Sequence, residues 1–312
     1  MWQQGKLRLY RYRPIVGSAT PPSRAVPLLI VYALVNRPYM LDLQADRSLI
    51  RGLLAEGLDV YLIDWGYPDA ADRFTTLTDY IDGLLASCVE HVLGAHRLDA
   101  LNMLGVCQGG VFSLCFSALY PRRVRNLITM VTPVDFHTPA DLLSKWVRKI
   151  DVAAWVGNGN VSGNALNQVF LSLMPFRLGH QKYVDLLMGS PDRARVETFM
   201  RVEHWIFDSP DQAGAAFQEF VVWLYRENRL VRNQLEIGGR KVDLRTLKLP
   251  LLNLIGGKDH LVPRDASAAL HGLVGSTDYT MLEFDLGHIG MYVSARAQRQ
   301  VPATIARWLA TR

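Results

Sequence analysis

Six short apolar runs recur along the chain, most of them separated by stretches that are amphipathic at helical spacing. Residues 27–35 (PLLIVYALV) are continuously apolar and bounded by prolines, the pattern of a strand covered on both faces. Residues 59–63 (DVYLI), 100–104 (ALNML), 127–131 (LITMV), 250–255 (PLLNLI) and 280–284 (TMLEF) predict further strands. Between them, residues 46–55 set Leu49, Ile50, Leu53 and Leu54 on one helical face before Gly57. Residues 77–93 do the same with Ile81, Leu84, Leu85, Cys88, Val92 and Leu93 before Gly94. Residues 111–119 predict a helix ended by Pro121, and residues 299–310 one that buries Val301, Ile305, Trp308 and Leu309. Strands alternating with helices imply an α/β fold with a mostly parallel central sheet and helices on both faces.

From Phe136 to Leu249 the alternation stops, leaving helices and loops but no convincing sheet strand. This segment holds Trp146, Trp155, Trp205 and Trp223, a flexible-looking stretch at 157–164 (GNGNVSGN) and a strong helical pattern at 212–226. Residues 1–135 and 250–312 are therefore expected to form the core, and residues 136–249 an inserted, largely helical cap. Sheet strands resume at Pro250.

Composition narrows the classes of function. A chain of 312 residues can bury a large core without metal or disulfide staples. Apolar residues at 49%, charged residues at 20% and a mean hydropathy of +0.07 exclude disorder and an integral membrane protein. The net charge of +5 is diffuse, with no basic run longer than Arg122-Arg123, so no nucleic-acid footprint is expected. The longest apolar stretch, residues 25–35, is about half a membrane span. Residues 1–14 scatter basic side chains and lack the apolar centre of a secretory signal, so a cytoplasmic location is expected. Cys88, Cys107 and Cys115 match no zinc or disulfide spacing, and each reads as a thiol.

One of these thiols stands in a chemical pattern. Gly105-Val106-Cys107-Gln108-Gly109 has the form glycine, any residue, nucleophile, any residue, glycine, between a predicted strand and a predicted helix. The glycines are needed because side chains there would clash with the neighbouring strand and helix. Cys107 would also sit at a helix N-terminus, where the dipole favours thiolate. Such an elbow expects an acid after a later strand and a histidine after the last. Asp259 follows the 250–255 strand and His288 the 280–284 strand. His288 would take the thiol proton, while Asp259 would fix its tautomer and stabilise imidazolium. Asp135, after the 127–131 strand, is a rival acid whose milder reading is the start of the cap hinge. His260 and Asp285 read as neighbours of the site or solvated groups, and Cys88 and Cys115 as core. An oxyanion hole would pair the backbone N–H of Gln108 with that of Val35 in the loop after the first predicted strand. Arg37 in that loop would cap a local turn. No metal cluster, dinucleotide loop or other cofactor site is evident, and no cofactor is expected.

Five strings carry a resemblance: residues 31–40 (VYALVNRPYM), 61–66 (YLIDWG), 105–110 (GVCQGG), 205–212 (WIFDSPDQ) and 287–294 (GHIGMYVS). Together they resemble the catalytic subunit of class III poly(3-hydroxyalkanoate) synthase, over residues 6–312 with the cap included. The resemblance implies an α/β-hydrolase fold with Cys107 as nucleophile, His288 as general base and Asp259 as triad acid. It implies polymerisation of (R)-3-hydroxyacyl-CoA, chiefly 3-hydroxybutyryl-CoA, with release of CoA. It further implies an accessory synthase subunit, a homo-oligomer and a place on polyester granules. Two departures stand out: the family usually has a further N-terminal segment, and it tends to have glycine where Asp285-Leu286 precedes Gly287-His288. A bulkier residue there would alter the approach to the histidine.

The chemistry is consistent with that family. Moving an acyl group from CoA to Cys107 exchanges one thioester for another, so the acyl-enzyme stays reactive; a second unit's hydroxyl, deprotonated by His288 or with help from Asp259, then extends the chain. An aromatic-rich cap would keep water from the acyl-enzyme. Two other readings remain: a capped cysteine hydrolase or thioesterase related to dienelactone hydrolases, and a catalytically silent module that binds a granule or partner.

Overall fold

The computed structural model describes residues 1–15, 26–157, 159–190 and 192–312, apart from the side chains of residues 177 and 178. Eight strands form one sheet: β1 (Trp2–Gln4), β2 (Leu7–Arg11), β3 (Leu28–Val31), β4 (Val60–Asp64), β5 (Leu101–Val106), β6 (Val124–Met130), β7 (Leu251–Gly256) and β8 (Tyr279–Phe284), in the order β1-β2-β4-β3-β5-β6-β7-β8. The six strands from β3 to β8 are the expected ones and run parallel; β2 joins β4 antiparallel, and β1 joins β2 antiparallel. The first two went unread because neither is an apolar run: β1 is WQQ, and in the LRLYR of β2 Leu7 and Leu9 are buried while Arg8 and Arg11 face out.

Alternation along each strand divides the core between the two faces. Leu29, Val31, Tyr61, Ile63, Leu101 and Met103 pack with helices α2 (Ala86–His96) and α3 (Gln108–Leu119). Leu28, Ile30, Val60, Leu62, Leu104 and Val106 pack with α1 (Leu49–Ala55) and the C-terminal helix Ala295–Leu309. Both faces are covered, which is why these strands read as unbroken apolar runs. The first run overshoots its strand. β3 ends at Val31, and Tyr32, Ala33 and Leu34 are apolar and buried because they lie beneath the helical excursion.

That excursion has two parts. Helices α4 (Leu142–Val147), α5 (Val152–Val156), α6 (Gly163–Ser172), α7 (Lys182–Met188), α8 (Arg193–Phe207) and α9 (Gly214–Glu219) lie over the C-terminal ends of the strands, and the chain runs on through Phe220–Arg226 in a wider helical turn. Beyond it, Leu230, Leu235, Ile237, Val242, Leu244 and Leu247 join the core cluster of α2 and α3. A two-residue hairpin, Glu236–Ile237 with Arg240–Lys241, forms there outside the main sheet. Residues 157–164 look flexible in sequence, yet Val161 pairs antiparallel with Gln212, with N···O distances of 2.9 and 2.8 Å.

Candidate active site

The elbow between β5 and α3 forces Cys107 to φ +55° and ψ −125°, a conformation that costs a non-glycine residue backbone strain. The neighbouring glycines make the turn possible. A Cβ on Gly109 would strike the backbone of Val31 and Tyr32, and one on Gly110 the side chain of Thr132. The strand and helix can therefore close on each other, and Cys107 stands at the C-terminal end of the central strand β5 with its N–H bonded to the Met130 carbonyl at 2.9 Å.

His288, in the loop after β8, and Asp259, in the loop after β7, meet beside it. His288 Nδ1 lies 2.6 Å from Asp259 Oδ2, and Asp259 Oδ1 accepts from the N–H groups of Leu261 and Val262, each at 2.9 Å. The Asp259 carboxylate is fully buried and all its bonds come from the ring and its own loop, so it has one use: holding the imidazole. Burial works against charge on His288, but the Asp259 carboxylate and the Cys107 sulfur outweigh it and hold the imidazole well above its usual range. The pair can therefore keep a proton on His288 next to a sulfur nucleophile.

These groups open into a cavity of about 580 Å³ with a mainly apolar lining. The floor is Tyr32 to Asn36, Cys107, Gln108 and His288; the roof includes Trp146, Trp155, Phe170, Phe199, Ile206 and Phe217. Val35 and Gln108, whose amides were expected to form the oxyanion hole, thus border the same space as Cys107. The neighbouring Leu34 N–H is engaged elsewhere, donating to Gln108 Oε1 at 2.9 Å.

The other candidates fall away from the chemistry. Asp135 Oδ1 accepts from the His137 N–H at 2.9 Å and from Asn228 Nδ2 at 2.8 Å, which anchors the start of the excursion and leaves His288 to Asp259. Asp285 is exposed and paired with Lys258 at 2.9 Å. Leu286 packs on the core cluster, and neither residue lines the cavity, so the departure at these positions leaves the approach to His288 open. His260 does line it. Cys88 and Cys115 are core, and burial pushes both thiols up to about 12. Arg37 does more than cap a turn: it is buried, ion-pairs with Asp64 at 2.7 Å and donates to the Gly66 carbonyl at 2.8 Å, joining the loop after β3 to the end of β4.

Sequence reasoning gave residues 205–212 no task. In the structure they clasp the loop after β3. Trp205 Nε1 donates to the Arg37 carbonyl at 2.7 Å, Ser209 Oγ to Asn36 Oδ1 at 2.8 Å, and Gln212 Nε2 to the Leu34 carbonyl at 2.9 Å, while Asp208 accepts from Tyr39 and Tyr67. Tyr292, also unassigned, stands edge-on to His288 and to Tyr32, and burial raises the pKa of both phenols. The signal was present, since three of the five strings behind the resemblance, 31–40, 61–66 and 205–212, converge in this one network.

The parallel sheet, strained elbow and helical roof define an α/β-hydrolase, and the model of the alpha/beta hydrolase fold family matches residues 26–295. Solved structures agree at the level of fold: a monoacylglycerol lipase of Paleococcus ferrophilus has a TM-score of 0.57 at 18% identity, covering 97% of this chain and 99% of its own. Within that fold the relationship is narrower. The chain is 54% identical to the poly(3-hydroxyalkanoate) polymerase subunit PhaC of Allochromatium vinosum, over 99% of this chain and 87% of the relative. It is 48% identical to that of a Synechocystis species, over 100% of this chain and 84% of the relative. The chain belongs to this family of polymerase subunits and is an enzyme. Among the described residues, no helix is long and apolar enough to cross a membrane, and no cluster of His, Cys, Asp or Glu could hold a metal ion.

Proposed function

We propose that the chain polymerises (R)-3-hydroxyacyl-CoA, chiefly 3-hydroxybutyryl-CoA, into polyester through a thioester on Cys107. The observation that carries this reading is a cysteine on a strained elbow, beside a buried His288–Asp259 pair, in an apolar cavity. In the first half-reaction the Cys107 thiolate attacks the acyl carbonyl, the bond to CoA sulfur breaks, and imidazolium at His288 gives its proton to the departing thiolate. In the second, neutral His288 takes the proton of an incoming 3-hydroxyl, whose oxygen attacks the Cys107 thioester and expels the sulfur. His288 is the base for this step because both Asp259 oxygens are occupied and the carboxylate is sealed from the cavity. The amides of Val35 and Gln108 stabilise the oxyanion in both halves.

Within residues 136–249, the helices from Leu142 to Arg226 supply the cap that keeps water from the acyl-enzyme, the condition for making an ester rather than an acid, while Leu230 to Leu247 pack on the core. CoA enters as substrate and leaves as product, with no cofactor. The pattern of resemblance favours the class III type, which works with an accessory subunit, as a homo-oligomer, on granules in the cytoplasm.

The test is incubation of the chain and Cys107→Ala with (R)-3-hydroxybutyryl-CoA, with and without an accessory subunit, following free CoA and product size. CoA release with polymer, lost in Cys107→Ala, is expected. Free 3-hydroxybutyrate without polymer would make the chain a capped thioesterase.

A further inference from the structure

We infer that Gln212 is a positioning residue for the oxyanion hole, so that acyl transfer requires residues 205–212 of the cap to be docked. The inference rests on the reading of Val35 N–H as an oxyanion donor. Leu34 C=O and Val35 N–H belong to one planar peptide unit, and among the described residues every peptide bond is trans, so the two groups point in opposite directions. Gln212 Nε2 donates to that carbonyl at 2.9 Å. Holding the carbonyl toward the cap aims the amide of the same unit away from it. The preceding amide is fixed independently, because Leu34 N–H donates to the side chain of Gln108 at 2.9 Å. One glutamine from the elbow and one from the cap thus set the two peptide planes that meet at Leu34.

Gln212 is itself rigidly placed. Its side chain is buried, and its backbone N–H and C=O are both paired with Val161. The neighbouring Asp211 accepts from the Gly163 N–H at 2.9 Å, and a Cβ on Gly163 would collide with the Ser209 and Pro210 carbonyls. Val161 and Gly163 therefore act as a clasp that delivers the Gln212 amide to the Leu34 carbonyl. A freed peptide could rotate its N–H out of line, and an oxyanion donor out of line is worth a factor of roughly 10² in rate.

Gln212→Met keeps length and burial but cannot donate. Gln212→Glu donates only while its carboxyl is protonated. Two reactions of Cys107 separate geometry from reactivity: single-turnover acylation by p-nitrophenyl butyrate passes through an oxyanion, whereas alkylation by iodoacetamide does not. Acylation by Gln212→Met is expected to fall roughly 10²-fold relative to the native chain, with alkylation within about threefold. The ratio of Gln212→Glu to native acylation should rise as pH falls and the carboxyl protonates. Equal losses in both reactions would mean that Gln212 merely holds the elbow, and no loss in acylation would mean that it holds nothing; either overturns the inference. A native chain that p-nitrophenyl butyrate does not acylate would overturn it together with the oxyanion assignment. A native chain that is acylated by the ester but makes no polymer from the CoA substrate would remove only the synthase reading.

Discussion

The sheet end and the cap face each other across one cavity but are built on opposite terms. A Cβ on Gly105, Gly109 or Gly110 at the elbow would meet backbone or a short buried side chain, and β3, β4, β5 and β7 have no exposed residue. In the cap, α7 buries no residue, α8 buries only Glu203 and Trp205, and Phe176, Leu187, Met188 and Met200 are exposed apolar side chains. Reacting atoms held at a strained φ need surroundings that cannot give way. A roof that opens over a site needs fewer internal contacts, because opening draws on the least stable parts of a fold.

Matched glycine substitutions give the largest test of that contrast. Gly109→Ala drives a methyl into the Val31 carbonyl and the Tyr32 backbone, neither of which can move without breaking the sheet. Overpacking of this kind costs about 3 kcal/mol or more. Gly159→Ala, in the cap stretch at 157–164, meets nothing within 4 Å. It should change stability by at most about 0.5 kcal/mol. Urea unfolding of the two variants checks the pair; similar losses would mean that the cap is as tightly constrained as the elbow.

The same contrast explains what could be read from the sequence. The parallel strands β3 to β7, the elbow and the order Cys107, Asp259, His288 were legible because double-sided burial leaves apolar runs and the elbow's geometry demands glycine at set positions, while β8, an edge strand with no buried residue, was legible only as a short run after a loop. β1 and β2 were not, since the edge strand β1 is mostly polar and β2 alternates apolar with basic residues, so neither leaves an apolar run. The cap network was less legible still. Gln212, Ser209 and Asp208 act through hydrogen bonds to side chains and carbonyls well over a hundred residues earlier, and no local periodicity records such a partner. The end of the excursion was misleading for a related reason: Leu230 to Leu247 follow no regular period, yet they pack on the core.

A smaller effect is expected inside the cap. Glu203 is buried against Lys182 Nζ at 2.6 Å and also accepts from the Tyr183 hydroxyl at 2.6 Å, joining α7 to α8. Glu203→Gln leaves the half-buried ammonium without its counter-charge, at a cost of about 1–2 kcal/mol after allowance for solvent around Lys182. If the two regions are separately stable units, that loss should appear as faster limited proteolysis and faster hydrogen exchange within α7 and α8, with the strands unchanged. Exchange that quickens equally in β5 and β7 would show cap and sheet unfolding together.

The last effect concerns pH and lies wholly on the sheet side. Burial disfavours charge on His288, and Asp259 at 2.6 Å overcomes it, so the folded imidazole holds its proton to a higher pH than in the unfolded chain. A raised pKa means that the folded state binds the proton more tightly. Its contribution is therefore fully present below about pH 6.5, the unfolded histidine value, and is lost as pH rises through the folded value. In Asp259→Asn the counter-charge is gone and burial acts alone, so imidazolium becomes a liability on the acid side. The stability gap between native and Asp259→Asn chains should be small at alkaline pH and widen steadily as pH falls, past 6.5 and on until the variant's own buried imidazole protonates, by about 1.4 kcal/mol for each unit by which the histidine values differ. Urea midpoints for the two chains across that range measure it. A gap that stays flat would mean that the pair is held by a neutral hydrogen bond, and that His288 does not store the proton that the proposed leaving group needs.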